Sequence, residues 1–150
     1  CEILECSPGS LRTTVSRLRA SLGADHVHTT PPGYALVATT DVAEFEQLLA
    51  EGRRAPPSTA VEPLERAIAL WRGAAVEEFR HEPWALPAVA RLDELRATAI
   101  ELRAEAMVEE GQAEEAIADL TSHIARHPLR ERPVALLMQA LSAGGRSTER

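Results

Sequence analysis

The chain has 150 residues, 45% hydrophobic and 26% charged, with a net charge of −7. That is the composition of one soluble domain or two small ones, and no apolar run approaches the ~20 residues that cross a membrane. Aromatic residues make up only 3%, which argues against a surface that binds single strands by stacking bases.

Residues 1 to 9, CEILECSPG, predict no firm element, and Pro8-Gly9 reads as a turn. Ser10 is placed to cap a helix over about 10–22. Leu11, Val15, Leu18 and Leu22 form one narrow apolar stripe on it. Arg12, Ser16 and Arg19 flank the stripe on one side, and Thr13 and Arg17 lie toward the other. Gly23 closes the helix. A hairpin follows, with strands near 26–30 and 33–38 in which Val27, Thr29, Tyr34 and Leu36 alternate with other residues. Pro32-Gly33 fits the two central positions of a type II turn.

Everything beyond reads as helical. Asp41 and Glu44 suit a capping box for a helix ending at Gly52. A second helix covers about 59–71, with Pro63 near enough to its start to be tolerated. Residues 72–83 are irregular, and Trp71 and Trp84 on either side are expected to pack on the next helix through Leu92 or Leu95. That helix covers about 85–110 with a stripe of Leu92, Leu95, Ala99, Leu102 and Ala106. Another covers 113–126, and the last starts at Pro133 and stops at Gly144-Gly145. Gly111 and Gly145 stand one tetratricopeptide period apart, and Ala116, Leu120 and Pro128 fall at that repeat's small, apolar and closing positions, whereas His123 replaces a usual alanine.

Charge divides along the chain. Acids and arginines balance over residues 1–40, so residues 41–150 carry the whole −7. Residues 10–22 hold three arginines and no acid. A basic helix ahead of an acidic body points to two tasks in one chain. Enzyme chemistry is not legible. There is no lysine for a phosphate loop, no glycine-rich dinucleotide turn and no nucleophile motif. Cys1 and Cys6 with His26 and His28 make a poor metal set, and an intracellular chain is not expected to join the two cysteines. His123 and His127 are four apart but lack the intervening glutamate of a metalloprotease. Their expected place is the end of a helix, where cations suit the dipole. No metal, cofactor or catalytic residue is therefore expected.

LRTTVSRLRASLG followed by HVHTTPPGYAL resembles the last helix and wing of an OmpR-type winged helix. The form is closest to that of the antibiotic-regulatory-protein (SARP) family of actinobacterial activators. VAEFEQLLAEGRR, LERAIALWRG, EPWALPAVARLDELR and GQAEEAIADLTSHIARHPLRERPVALLMQAL are similar to that family's bacterial transcriptional activation domain. The resemblance implies a mainly α chain. Residues 1–40 would be the C-terminal part of a winged-helix DNA-binding domain, with its recognition helix near 10–22 and its wing near 26–38. Residues 41–150 would be a tetratricopeptide-like activation domain. The chain begins at Cys1, lacks the sheet and two helices that precede such a reader, and is expected to be a fragment truncated at both ends. Ala35 stands where the family's wing has an arginine.

The implied function is that of a fragment of a DNA-binding transcriptional activator in the cytoplasm. Its candidate DNA contacts are Arg12, Thr13, Ser16, Arg17 and Arg19, with Thr29 and Thr30 at the wing. Arginine pairs both acceptors of guanine, and hydroxyls suit phosphate. Arg12 or Arg19 is expected to read a base and Arg17 to grip phosphate. The implied partners are double-stranded DNA for the intact protein and RNA polymerase or other proteins for the helical domain. A homodimer on DNA is compatible with this reading, and no membrane is involved. The alternative is a helical-repeat scaffold that binds proteins and no DNA.

Overall fold

The computed structural model describes residues 7–147. The chain divides into two compact units, one up to Thr40 and one from Asp41 onward. Cys1 and Cys6 lie outside the described residues.

The first unit holds helix α1 (Pro8–Leu22), a 3-10 turn over Ala24–His26 and strands β1 (Val27–Thr30) and β2 (Gly33–Leu36). The helix starts earlier than the Ser10 cap predicts. Ser7 is the cap, and its Oγ accepts from the backbone N–H of Ser10 at 3.2 Å. Pro8 therefore sits in the first helical turn, where its missing N–H costs nothing, rather than in a loop. Gly23 closes the helix at φ +96°, where a side chain would be strained, and its N–H reaches Arg19 O at 2.9 Å. Of the apolar stripe only Val15 is buried in full; Leu18 and Leu22 are exposed.

β1 and β2 pair antiparallel, Val27 opposite Leu36 and Thr30 opposite Gly33. The pairing puts Val27, Thr29, Tyr34 and Leu36 on one face as predicted, but of these only Val27 is buried, and the turn differs too. The two loop residues are Pro31 and Pro32, joined by a cis peptide bond, and Gly33 is already in the strand without a positive φ. A cis proline at the third position defines a type VI turn, not the type II that Pro32-Gly33 suggests.

The second unit is all helical apart from one 3-10 turn over Glu77–Phe79. Its helices are α2 (Asp41–Arg54), α3 (Pro57–Ala69), α4 (Leu86–Glu109), α5 (Ala113–Arg126) and α6 (Glu131–Ser147). Each packs on the next in sequence, as in tetratricopeptide-like stacks, and α4 also meets α2 and α6. Phe45, Leu48, Leu49, Leu64, Ala67 and Ala99 form one buried cluster. Ala104, Met107, Ala116, Leu120, Leu136 and Ala140 form the other. So α4 is apolar on two faces, where the sequence stripe predicts one.

Three glycines read as helix stops behave differently. Gly52 lies inside α2 and is buried; a Cβ there would come within 2.4 Å of Leu64 Cγ. Gly144 and Gly145 lie within α6. Gly111 does make the turn it was read to make, at φ +81° between α4 and α5. Pro63 sits mid-helix in α3, not near its start, and its ring is buried in the packing. Trp71 and Leu95 each pack against the first cluster, and Trp71 meets Phe45 edge-on at 5.4 Å. Trp84 does not reach that core. It is exposed and leans on Phe79 at 5.6 Å, because the 72–85 segment holds it outward.

A polar network lies where α4, α5 and the start of α6 meet. Glu101 and His123 are each 1% exposed. Arg130 Nε donates to Glu101 Oε1 at 2.6 Å, while Arg130 also holds Glu94 at 2.5 Å. Arg132 lies 3.9 Å from Glu101 and 2.8 Å from Glu105. His123 Nε2 is 3.5 Å from Glu101 Oε1, too poorly aligned for a hydrogen bond, and its ring leans on His127 at 4.8 Å. The expectation of a cationic His123 at a helix end fails for this reason. Burial first, then the neighbouring His127, pushes its imidazole below the ordinary value, against the pull of Glu101.

A depressed histidine value means that the folded state prefers the neutral ring. Stability is then complete above about pH 6.5 and falls as pH drops through the folded value. Thermal unfolding followed from about pH 7 down to pH 5 should show this decline, and His123→Gln should flatten it. An equal slope in the variant would assign the decline to other groups.

Candidate nucleic-acid interface

The site is built on α1 and the hairpin. Because 3.6 residues complete a turn, Arg12 and Arg17 diverge by about 140° around the axis. Arg12, Ser16 and Arg17 are exposed and make no hydrogen bond or ion pair among the described residues. Their donors are free for a ligand. Thr13 is exposed too, but its hydroxyl donates to Gly9 O at 3.1 Å, so its oxygen is left as an acceptor. Thr30 is exposed at the end of β1, paired with Gly33.

Arg19 is placed differently from its neighbours. Its Nε donates to Val27 O at 2.9 Å, and Nη2 donates to Thr29 Oγ1 at 2.9 Å. The guanidinium also lies 5.8 Å from the centre of the Tyr34 ring. Three bonds of different kinds thus tie the end of α1 to both strands. A side chain so engaged fixes the angle between helix and hairpin, and Thr29 is engaged with it. Spacing alone could not reveal this clamp, since its partners stand eight and more residues downstream. Two histidines tighten the same hairpin base: His26 Nδ1 lies 3.0 Å from Val37 O, and His28 Nε2 lies 2.8 Å from Asp25 O. Their rings serve the backbone, which explains two residues whose only sequence-level reading was a poor metal set.

The described part of this unit carries Arg12, Arg17 and Arg19 against the single acid Asp25. A helix with free arginine and hydroxyl donors, held at a fixed angle to a two-stranded wing, can lie in a major groove with its flanks toward the phosphates. The second unit is acidic and would repel a duplex.

Comparison with known proteins bears on both units. The model of the bacterial transcriptional activator domain matches residues 40–149. The chain belongs to the bacterial transcriptional activator domain family. Within it, this activator-domain chain falls in the antibiotic-regulatory-protein group. It is 35% identical over 150 residues to regulatory protein AfsR of Streptomyces griseus, a match covering 93% of this chain and 15% of that one. It is 32% identical over 158 residues to regulatory protein DnrI of Streptomyces peucetius, covering 93% of this chain and 58% of that protein. Among solved structures it resembles Mycobacterium tuberculosis EmbR in complex with a low affinity phosphopeptide. That likeness has a TM-score of 0.84 at 27% identity, over 97% of this chain and 43% of that one. The fold is accordingly a winged-helix segment followed by tetratricopeptide-like helices. The activator-domain chain spans less than two-thirds of each of these relatives. AfsR and DnrI are both regulatory proteins by name. No helix among the described residues is long and apolar enough to cross a membrane.

Proposed function

We propose that this chain is the reader-and-activator portion of a DNA-binding transcriptional activator. Residues 1–40 supply the C-terminal part of the winged helix, and residues 41–150 supply the activation domain. The observation that carries the reading is α1, with unpaired donors on Arg12, Ser16 and Arg17 and with Arg19 clamped to the hairpin. In this reading Arg12 reads a base edge beside Ser16, Arg17 grips phosphate, and Thr13 and Thr30 face the backbone. Arg19 and Thr29 act by positioning. The acidic helical unit meets protein partners, RNA polymerase among them, through the grooves between stacked helices. The protein works in the cytoplasm without cofactor or membrane, and two copies can share one operator.

The test is duplex binding across a salt series, in a protein whose winged helix is complete. Arg17→Ala should weaken all sequences about equally and flatten the salt slope by about one. Arg12→Ala should cost ~1–3 kcal/mol at one base position and relax its preference. Arg19→Ala should weaken every sequence without changing preference, since it tilts the reader rather than removing a base contact. Unchanged binding in a triple alanine variant at Arg12, Ser16 and Arg17 would instead favour the scaffold that binds proteins alone.

A further inference from the structure

Two of the five aromatic residues of the chain stand side by side on its surface, in the segment that joins α3 to α4. The rings of Phe79 and Trp84 lie 5.6 Å apart, centre to centre. Val76 and Leu86 bound them in sequence, and all four side chains are between 40% and 51% exposed. Within residues 75–86 only Ala75 and Ala85 are buried. The segment is therefore seated through two small residues and turns its large apolar ones to water. Exposed apolar groups gathered in this way mark interaction sites.

This surface is built in advance. Phe79 N–H donates to Val76 O at 2.8 Å, Glu82 N–H to Phe79 O at 2.9 Å and Ala85 N–H to Glu82 O at 2.9 Å. Rings held in place before a partner arrives lower the ordering cost of binding. Val76 adds an independent sign. It sits at φ +47°, ψ +47°, a left-handed conformation that a β-branched residue adopts only under constraint, and its isopropyl group stays exposed all the same. Burial within this unit does not offset that strain, and strain of this kind collects at functional sites.

Charge decides what the surface can meet. Arg72 is paired with Asp41 at 3.2 Å, and Arg80 with Asp93 at 3.8 Å. Glu77 lies beside Gly73, whose carbonyl accepts from Arg96. Glu78 and Glu82 are exposed, and their carboxylates make no hydrogen bond or ion pair among the described residues. Exposed aromatics that stack bases do so in positively charged grooves, and membrane surfaces are anionic. Two free carboxylates beside the ring pair suit neither. They suit a protein surface that is both apolar and cationic.

We propose that Val76, Phe79, Trp84 and Leu86 dock an amphipathic helix of a partner protein. Its apolar stripe lies on the two rings, and its arginines or lysines meet Glu78 and Glu82. Four large apolar side chains match the i, i+3, i+4 and i+7 anchors of one helix. Aromatic anchors inside a charged rim are also how protein interfaces concentrate their binding energy. The proposal rests on the reading that the helical unit meets proteins, and it does not depend on α1 reading DNA.

The probe is a fluorescein-labelled synthetic helix with a leucine stripe flanked by arginines. It is titrated against the full chain at pH 8, where a free imidazole such as that of the exposed His81 carries no charge. Anisotropy should rise saturably. Phe79→Ala and Trp84→Ala should each weaken binding about tenfold or more. Glu78→Gln with Glu82→Gln should weaken it about three- to tenfold. The same peptide with glutamates in place of its arginines should bind at least about tenfold more weakly. Glu109→Gln with Glu110→Gln, an equal change in net charge at the other end of α4, should leave the affinity unaltered. The substituted side chains are exposed, and the glutamine pair spares the rings, so the charge arm reads out in folded protein even where an alanine variant does not fold. No saturable binding, undiminished binding in both alanine variants, equal affinity for the glutamate peptide, or an equal loss in the Glu109 and Glu110 control would each overturn the proposal. Binding of oligothymidylate or of phosphatidylserine vesicles that is lost in Trp84→Ala would overturn it in favour of another class of ligand. A protein with a complete winged helix that binds duplex but not the peptide refutes this surface and leaves the reader standing; the reverse result does the opposite.

Discussion

Arg130→Ala should destabilise the helical unit by about 3–5 kcal/mol, the cost of leaving a buried charge without its partner. Glu101 is 1% exposed and takes its strongest bond from Arg130 Nε at 2.6 Å. Arg130 also holds Glu94, whose carboxyl is kept below its usual range first by that hydrogen bond. With Arg130 gone, Glu101 retains Arg132 at 3.9 Å and His123 at 3.5 Å, neither well placed. The positive charge of Arg130 also presses His123 toward its neutral form. The variant should therefore let His123 take up a proton more readily, and its stability should recover partly as pH is lowered toward 6. Urea unfolding of the full chain measures the first effect, as a lower midpoint at unchanged slope. A loss below about 1 kcal/mol would place the pair in the class of exposed ion pairs that stabilise little. Replacing Glu101 and Arg130 together by methionine should cost less than Arg130→Ala alone, because no charge is stranded.

Leu64→Ala should cost about 2–5 kcal/mol, since it opens a cavity in the first cluster. Leu64 is wholly buried and lies against Gly52 across the α2–α3 contact. Gly52→Ala should cost about 1–3 kcal/mol for the opposite reason, overpacking. The added methyl would meet Leu64 at its branching carbon, 2.4 Å away, which cannot swing aside as a flexible tip would. The two changes are complementary in volume. In the double variant the new methyl occupies space that Leu64 has left, so the losses should fall well short of their sum. A double-mutant cycle by denaturant unfolding gives the coupling directly. Additive losses would mean that the helices move apart rather than interlock at this point.

Much of this architecture is legible from local pattern. The Ala113–Arg126 helix is delimited by a turn glycine on one side and a histidine–proline pair on the other, and its ends fall where spacing puts them. The hairpin register follows from alternation in Val27, Thr29, Tyr34 and Leu36. What fails is whatever depends on a neighbour distant in sequence. Gly52 reads as a stop because glycine is a poor helix former, yet Leu64 needs that bare backbone. Gly144 also stays helical, though a Cβ there would meet Ile117 Cδ1 only at an ordinary 3.9 Å. Ser7 outranks Ser10 as a cap because proline is accommodated best at the first helical position. His123 reads as a surface cation until α4 and Arg130 are folded over it. At the candidate site the same distinction holds. Arginine and hydroxyl spacing marks the helix face, but only the hairpin decides that Arg19 is a strut and Arg12 and Arg17 are free.

The two-faced burial of α4 has a consequence for how the helical unit opens. Ala99 and Ala106 belong to one cluster, and Ala104 and Met107 to the other, within two turns of the same helix. Neither cluster can come apart without baring that stretch to water. Partial openings are therefore confined to the outer edges, and amide protons in the middle of α4 exchange with solvent only when the whole unit unfolds. The stack responds as one cooperative body, so a load applied through α2 is felt at α6.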